Sequence, residues 1–240
     1  MIKQNPAQIF KAQQRSHAQN EYHKLHSTFN FNSEGKNLSN NPFGKLTVLN
    51  DEILAPNRTV GRTLASGTMV MVIPITGAVE CSFTGNKTQI ITPGEAFTHH
   101  NQYGGTITIK NPYDESTINY LYITFSNTIL SDVFQSKDFM IAKADLSVRN
   151  QFHKLYETFQ NGLSTQIGIF NGHTETLYSP ANNSNGIFAF VVSGRFEVQG
   201  RVLEDRDGLA LWNTQQIDLE ALSDNAIMLL IETPFKGFTA

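Results

Sequence analysis

Two distant stretches of the chain repeat one pattern, and that repetition restricts the possible folds more than any single segment does. Pro74–Phe97 reads PITGAVECSFTGNKTQIITPGEAF and Val191–Leu211 reads VVSGRFEVQGRVLEDRDGLAL. Both run from an apolar strand through a small residue and a glycine to a second strand, another glycine, a third strand and a turn with glycine. Gly77 aligns with Gly194, Gly85 with Gly200 and Gly94 with Gly208. Each falls where a hairpin or tight corner needs positive φ, which glycine adopts without steric cost. Self-similarity of this kind marks a duplicated supersecondary unit. Two similar β-barrels in tandem are therefore expected.

The rest of the chain agrees. Short β-branched or aromatic runs (KLTVLN, MVMVIPI, TQIIT, TITIK, NYLYITF, IFAFVV, RFEVQG, LALW, AIMLLIE) are separated by Gly, Asn and Pro, the signature of a sandwich or barrel. In INYLYITFSN, Ile118, Tyr120, Tyr122 and Thr124 alternate with Asn119, Leu121, Ile123 and Phe125. Apolar side chains on both faces predict a strand buried between layers. One short helix is predicted in NQFHKLYETFQNG, where Phe152, Leu155, Tyr156 and Phe159 stand at i, i+3, i+4 and i+7 and Gly162 supplies a stop. Glu34–Gly44 reads as a turn-rich loop.

Composition narrows the function classes. The 240 residues are 40% hydrophobic and include 17 Phe, enough for a substantial core. The formal net charge of −3 comes without blocks of like charge, so no basic stripe for phosphate neutralisation is present and direct nucleic-acid binding is not expected. The single cysteine, Cys81, reads as a small buried hydrophobe in a reducing compartment. The N-terminal stretch has no apolar core of a secretory signal, and no window approaches a membrane span. A cytoplasmic protein without membrane contact is expected.

Longer segments carry a resemblance. STFNF (Ser27–Phe31), FGKLTVLNDEILAPN (Phe43–Asn57), Thr76–Phe97, IFAFVVSGRFEVQG and DGLALWNTQQIDLEALSDNAIMLLIETP together resemble the pirin-like bicupins, a cupin branch that includes bacterial quercetin dioxygenases. The resemblance covers most of the chain and is weakest from about 127 to 175. It implies an all-β fold of two tandem jelly-roll-like cupin barrels. The expected division is an N-terminal barrel with its arm over 1–126, a connecting region over 127–164 and a C-terminal barrel over 165–240.

The same resemblance implies a divalent metal in the first barrel, held by three His and one Glu. Counted from Thr76-Gly77 and from Pro93-Gly94-Glu95, the four ligand positions fall on Thr63 and Ala65 and on Ile107 and Ile109. Alanine and isoleucine offer no donor and a threonine hydroxyl is a weak one. No histidine lies between Asn57 and Ala96. The expectation is a metal-free barrel with no cofactor, whose pocket is bordered by Thr63, Ala65, Met69, Ile107 and Ile109. It would serve a small apolar or flavonoid-like ligand, or the protein would bind a protein partner.

The alternative is a quercetinase-like dioxygenase with relocated ligands. His99 and His100 are the replacement donors to consider, although adjacent side chains on an extended segment point to opposite faces, so only one looks inward. His23 and His26 have the i, i+3 spacing of a helical metal face but lack a third donor nearby other than Glu21. His153 and His173 are isolated. Asp51 and Glu52 are read as turn-capping residues in preference to an acid–base pair, and Trp212 as packing in the second barrel. No Gly-x-Ser-x-Gly elbow, phosphate-binding glycine loop or Cys-x-x-Cys pair is found. The balance leans away from catalysis.

Overall fold

A computed structural model describes residues 5–29, 41–84, 87–126, 139–158 and 162–238. The chain forms two compact units, one of Ser16–Lys143 and one of Ala144–Ala240 together with the segment through Arg15. Strand β1 (Ala7–Phe10) belongs to the second unit. The first contains β2 (Ser16–Gln19), β3 (His23–Ser27), β4 (Leu46–Leu54), β5 (Thr59–Leu64), β6 (Thr68–Thr76), β7 (Val79–Phe83), β8 (Gln89–Ile91), β9 (Glu95–Asn101), β10 (Gly105–Lys110), β11 (Ile118–Phe125) and β12 (Met140–Lys143). The second continues with β13 (His153–Thr158), β14 (Leu163–Phe170), β15 (Glu175–Tyr178), β16 (Asn185–Ser193), β17 (Phe196–Val198), β18 (Arg201–Leu203), β19 (Gly208–Leu211), β20 (Ile217–Ala221) and β21 (Ala226–Pro234).

Each unit is a pair of antiparallel sheets closed over one core. In the first, the order β12-β9-β6-β11-β4-β3-β2 faces β5-β10-β7-β8; in the second, β1-β19-β16-β21-β14-β13 faces β15-β20-β17-β18. Strand alternation sorts the side chains. In the first barrel Val70 and Val72 of β6, Ile107 and Ile109 of β10 and Tyr120 and Tyr122 of β11 all enter one core cluster with Phe83 and Phe97. The intervening residues Leu121, Ile123 and Phe125 are buried too, so β11 is enclosed on both faces. Its centre pairs with β4 on one side and β6 on the other. Cys81 is buried in the same core, and burial pushes its thiol pKa up, in keeping with a packing role.

The helix predicted over Asn150–Gly162 is instead β13, paired with β14. Its register slips between Lys154 and Tyr156, and this bulge buries Leu155 and Tyr156 in succession. Two adjacent buried residues imitate helical spacing. Phe159 and most of the loop expected over Glu34–Gly44 lie outside the described residues. The one helical element among those described is a 3₁₀ turn at Ala12–Gln14. No helix there is long and apolar enough to cross a membrane.

The unit boundaries differ from those expected. The N-terminal segment belongs to the second barrel because β1 pairs with β19. The buried Asp207 carboxylate also accepts from Lys11 Nζ at 2.7 Å and from the Ala12 amide at 2.8 Å. The region expected to connect the barrels is itself divided, since β12 pairs with β9 and β13 with β14. Residues 127–138 lie outside the described set.

The glycine repeat is partly in register. Gly77 and Gly194 have φ of 77° and 82° after the long strands β6 and β16, and Gly200 has φ of 70°. Gly94 has φ of 91°, but its counterpart in the second barrel is Arg206 at φ 66°, and Gly208 lies two residues further on in β19. The two turns match by hydrogen bond, Glu95 amide to Thr92 carbonyl and Asp207 amide to Glu204 carbonyl. Gly208 has another reason to be glycine: a Cβ there would lie 2.6 Å from the Phe188 ring. Gly85 lies outside the described residues.

The corner glycines give a direct test. A Cβ on Gly77 would stand 2.8 Å from Ile118 Cγ2, and one on Gly194 would stand 2.9 Å from Ala226 Cα. Gly77→Ala and Gly194→Ala should each lower stability by about 2 kcal/mol, combining backbone strain with a clash. Nothing lies within 4 Å of a Cβ on Gly200, so Gly200→Ala should cost only the left-handed strain, about 1 kcal/mol. Urea denaturation midpoints distinguish the two classes.

Candidate functional site

The polar centre of the first barrel is built around Glu52, whose side chain is fully buried. On β4, Val48, Asn50, Glu52 and Leu54 share the face that meets the core, because the strand has period two. Across the ladder, Tyr122 is opposite Asn50 and Tyr120 opposite Glu52. Tyr120 donates to Glu52 Oε2 at 2.8 Å, and burial together with that carboxylate pushes the phenol pKa well up, keeping it a neutral donor. Arg62 of β5 reaches the same oxygen with Nη2 at 2.7 Å, and His23 of β3 places Nε2 2.9 Å from it. Asn50 Nδ2 donates to Oε1 at 3.2 Å. Donors from four strands thus converge on one carboxylate, the condition under which a buried charge is tolerated.

Arg62 also lies over the Tyr122 ring, 4.3 Å from its centroid, a cation–π contact. Burial is the main cause pushing Tyr122 up to about 12, with Arg62 opposing and Glu52 reinforcing it. The guanidinium is therefore fixed on two sides. Glu52 is not the turn-capping residue expected, and His23 is not on a helix: it and His26 lie on β3. Asp51 takes the other face of β4, where Asn119 Nδ2 donates to it at 2.7 Å.

A cleft of about 630 Å³ opens against this centre, and Asn50, Arg62, Tyr122 and Thr124 form part of its wall. Its size is that of a drug-sized ligand site. Of the residues expected to border a pocket, Thr63 and Ala65 line this cleft, whereas Met69, Ile107 and Ile109 do not. The reason is strand geometry. Ile107 stands opposite Arg62 and Ile109 opposite Val60, and both are packed into the core between the sheets. Met69 is buried but alternates with the core residue Val70 on β6, which turns it to the other face. On β5 the inward residues are Val60, Arg62 and Leu64, while Thr63 and Ala65 are exposed. Counting residues from Gly77 therefore selects the outward set.

These side chains do not fit the divalent metal that the resemblance implies. Inward-facing Ile107, Ile109 and Leu64 have no donor atoms, and Arg62 brings a permanent cation to the place. Among the described residues, no three His, Cys, Asp or Glu side chains are grouped so as to hold a metal ion. His99 is buried and stacks on Phe83 with ring centroids 3.8 Å apart, while His100 takes the opposite face of β9. The two do not converge. Burial, and secondarily His99, pushes His100 down to about 4.

Arg62→Leu leaves the Glu52 carboxylate buried without its cation, and denaturation should show a loss of about 3 kcal/mol. His100 has a folded pKa below its unfolded value near 6.5, so the unfolded state takes up the proton first on acidification. Its contribution is complete above about 6.5 and is lost as pH falls toward about 4. Stability should therefore decline across that window, and less steeply in His100→Gln.

The fold has known counterparts. YhhW from Escherichia coli superposes with a TM-score of 0.83 at 17% identity, covering 98% of this chain and 100% of that one. The same bacterial pirin in complex with nickel(II) gives 0.79 at 17% identity, over 96% and 100%. A quercetin 2,3-dioxygenase from Acinetobacter baumannii gives 0.72 at 17% identity, over 96% of this chain and 80% of that one. No curated protein matches the sequence at a significant level. Residues 166–233 match the quercetinase C-terminal cupin domain. The chain is thus an all-β, two-barrel protein of the pirin-like bicupin fold, with a second barrel that matches the quercetinase C-terminal cupin domain.

Proposed function

We propose that this protein is a non-catalytic, metal-independent pirin-like bicupin that binds a small, mostly apolar ligand of flavonoid-like size in its first barrel. The observation that carries this reading is the open cleft of about 630 Å³ beside a packed interior. Ile107 and Ile109 fill the space where the resemblance implies donors, and the volume left open lies against Arg62, Tyr122 and Leu64. Its wall combines apolar side chains with a few fixed polar groups, the composition of a small-molecule site. The similarity in fold to a quercetin 2,3-dioxygenase makes quercetin the first ligand to try. The cleft favours a small ligand over a protein partner, and a cytoplasmic location is part of the same proposal.

Untagged protein purified without chelators should contain far less than one equivalent of Fe, Ni, Mn, Cu, Zn or Co by elemental analysis. Quercetin should bind saturably, followed by its absorbance, and be recovered unchanged under air. Near-stoichiometric metal, removed by His99→Ala with His100→Ala and accompanied by oxygen uptake with quercetin, would instead establish the dioxygenase with relocated ligands.

A further inference from the structure

The cleft carries two polar features that its own fold leaves unsaturated. Arg62 uses Nη2 on Glu52, and among the described residues no other atom of its guanidinium is hydrogen-bonded. A guanidinium has five N–H donors in a planar fork, so Arg62, which lines the cleft, keeps donors that the fold does not use. Asn50 is 1% exposed, lines the same cleft, and its Oδ1 is buried without a hydrogen-bond partner among the described residues. Its orientation is fixed chemically: Nδ2 donates to Glu52 Oε1, and the flipped amide would set oxygen against carboxylate. A buried acceptor left open is costly. A hydroxyl donor arriving with a ligand removes that cost.

The electrostatics are one-sided as well. Arg62 is the one charged side chain among the described lining residues, and the Glu52 carboxylate behind it is already held by Tyr120, His23 and Asn50. The remainder of the wall includes Leu25, Val48, Leu64 and Tyr122. An anion meets the cation end of the Arg62–Glu52 pair there, with no carboxylate among the described lining residues, and an apolar ring meets apolar surface.

Resting on the binding role proposed above, we infer that the cleft selects a small aromatic carboxylate bearing a hydroxyl group. The carboxylate pairs with the open face of the Arg62 guanidinium, the hydroxyl donates to Asn50 Oδ1, and the ring lies against the apolar wall. Arginine suits this task because its fork presents parallel donors to a carboxylate while its guanidinium carbon lies over the Tyr122 ring. Neither residue occupies one of the four positions at which the family resemblance implies metal ligands.

The test is titration calorimetry of the full-length protein with 3- and 4-hydroxybenzoate, their methyl esters and benzoate. At least one hydroxy acid should bind more tightly than its own methyl ester by about tenfold, as for a hydrogen bond to a charged group. It should also exceed benzoate several-fold, and its margin over the ester should shrink as salt is raised. In Arg62→Gln, checked for its fold by thermal melting, acid and ester should bind alike. The wild-type comparison stands even if that variant does not fold. Equal binding of acids and esters, or binding of quercetin without any of these probes, overturns this inference and leaves the binding role intact. Failure of quercetin and all the probes overturns both.

Discussion

The first barrel is organised by the need to keep one carboxylate comfortable away from water. Glu52 is fully buried, and moving a bare carboxylate into such surroundings costs several kcal/mol even after relaxation. Four donors from different strands remove that penalty, and each is committed by doing so. Tyr120 is held neutral, Asn50 has its amide oriented, His23 is brought from β3, and Arg62 is drawn inward from β5. The cleft inherits its chemistry from these commitments. Arg62 lines the cleft with donors to spare, held by Glu52 at Nη2 and lying over the Tyr122 ring.

The same network explains why this interior does not resemble a metal site. A divalent ion and a guanidinium both satisfy a buried anion, but the guanidinium is covalently tethered, needs no further ligands and leaves its neighbours free to be aliphatic. Ile107, opposite Arg62, and Ile109, one inward step along β10, are compatible with a cation that makes its bonds toward β4. Placing a second positive centre beside it would add repulsion in a poorly screened environment.

Most of the fold was legible in the sequence because it rests on local pattern. Every quoted strand run falls on a strand, and the two-faced character of Ile118–Phe125 is that of a strand enclosed on both sides. The helix expected near Leu155 failed because a β-bulge buries consecutive side chains and so reproduces helical spacing over a short window. The site was far less legible. Asn50 and Asp51 are turn-forming residue types that drew Glu52 into the same reading, and pairing with β11 and β3 is what shows that all three lie mid-sheet, with Glu52 inward. Arg62 was missed for a different reason. Residue counting from Gly77 leads to Thr63 and Ala65, whereas side-chain direction on β5 follows the alternation of Val60, Arg62 and Leu64 into the core. A one-residue offset exchanges the faces of a strand. The signal available was the alternation of Tyr120 and Tyr122 on β11, two polar-tipped aromatics on one inward face, since buried phenols require partners.

The second barrel shows what a buried carboxylate looks like when no cation is recruited. Glu232 of β21 is also buried, and it accepts from Tyr178, from Asn185 Nδ2 at 3.0 Å and from the Ala181 amide at 3.0 Å. All three donors are neutral, and burial together with Glu232 drives the Tyr178 phenol pKa far upward, so among the described residues this carboxylate is held by hydrogen bonds from neutral groups. Among the described residues, a cavity of about 120 Å³ adjoins it. That space suits a few waters better than an aromatic ligand. Both barrels therefore solve the same solvation problem with a phenol and an asparagine, but among the described residues the first adds an arginine and has the wider opening beside it. The binding role proposed for the first barrel follows from that difference, because the cation that neutralises Glu52 also lines the cleft.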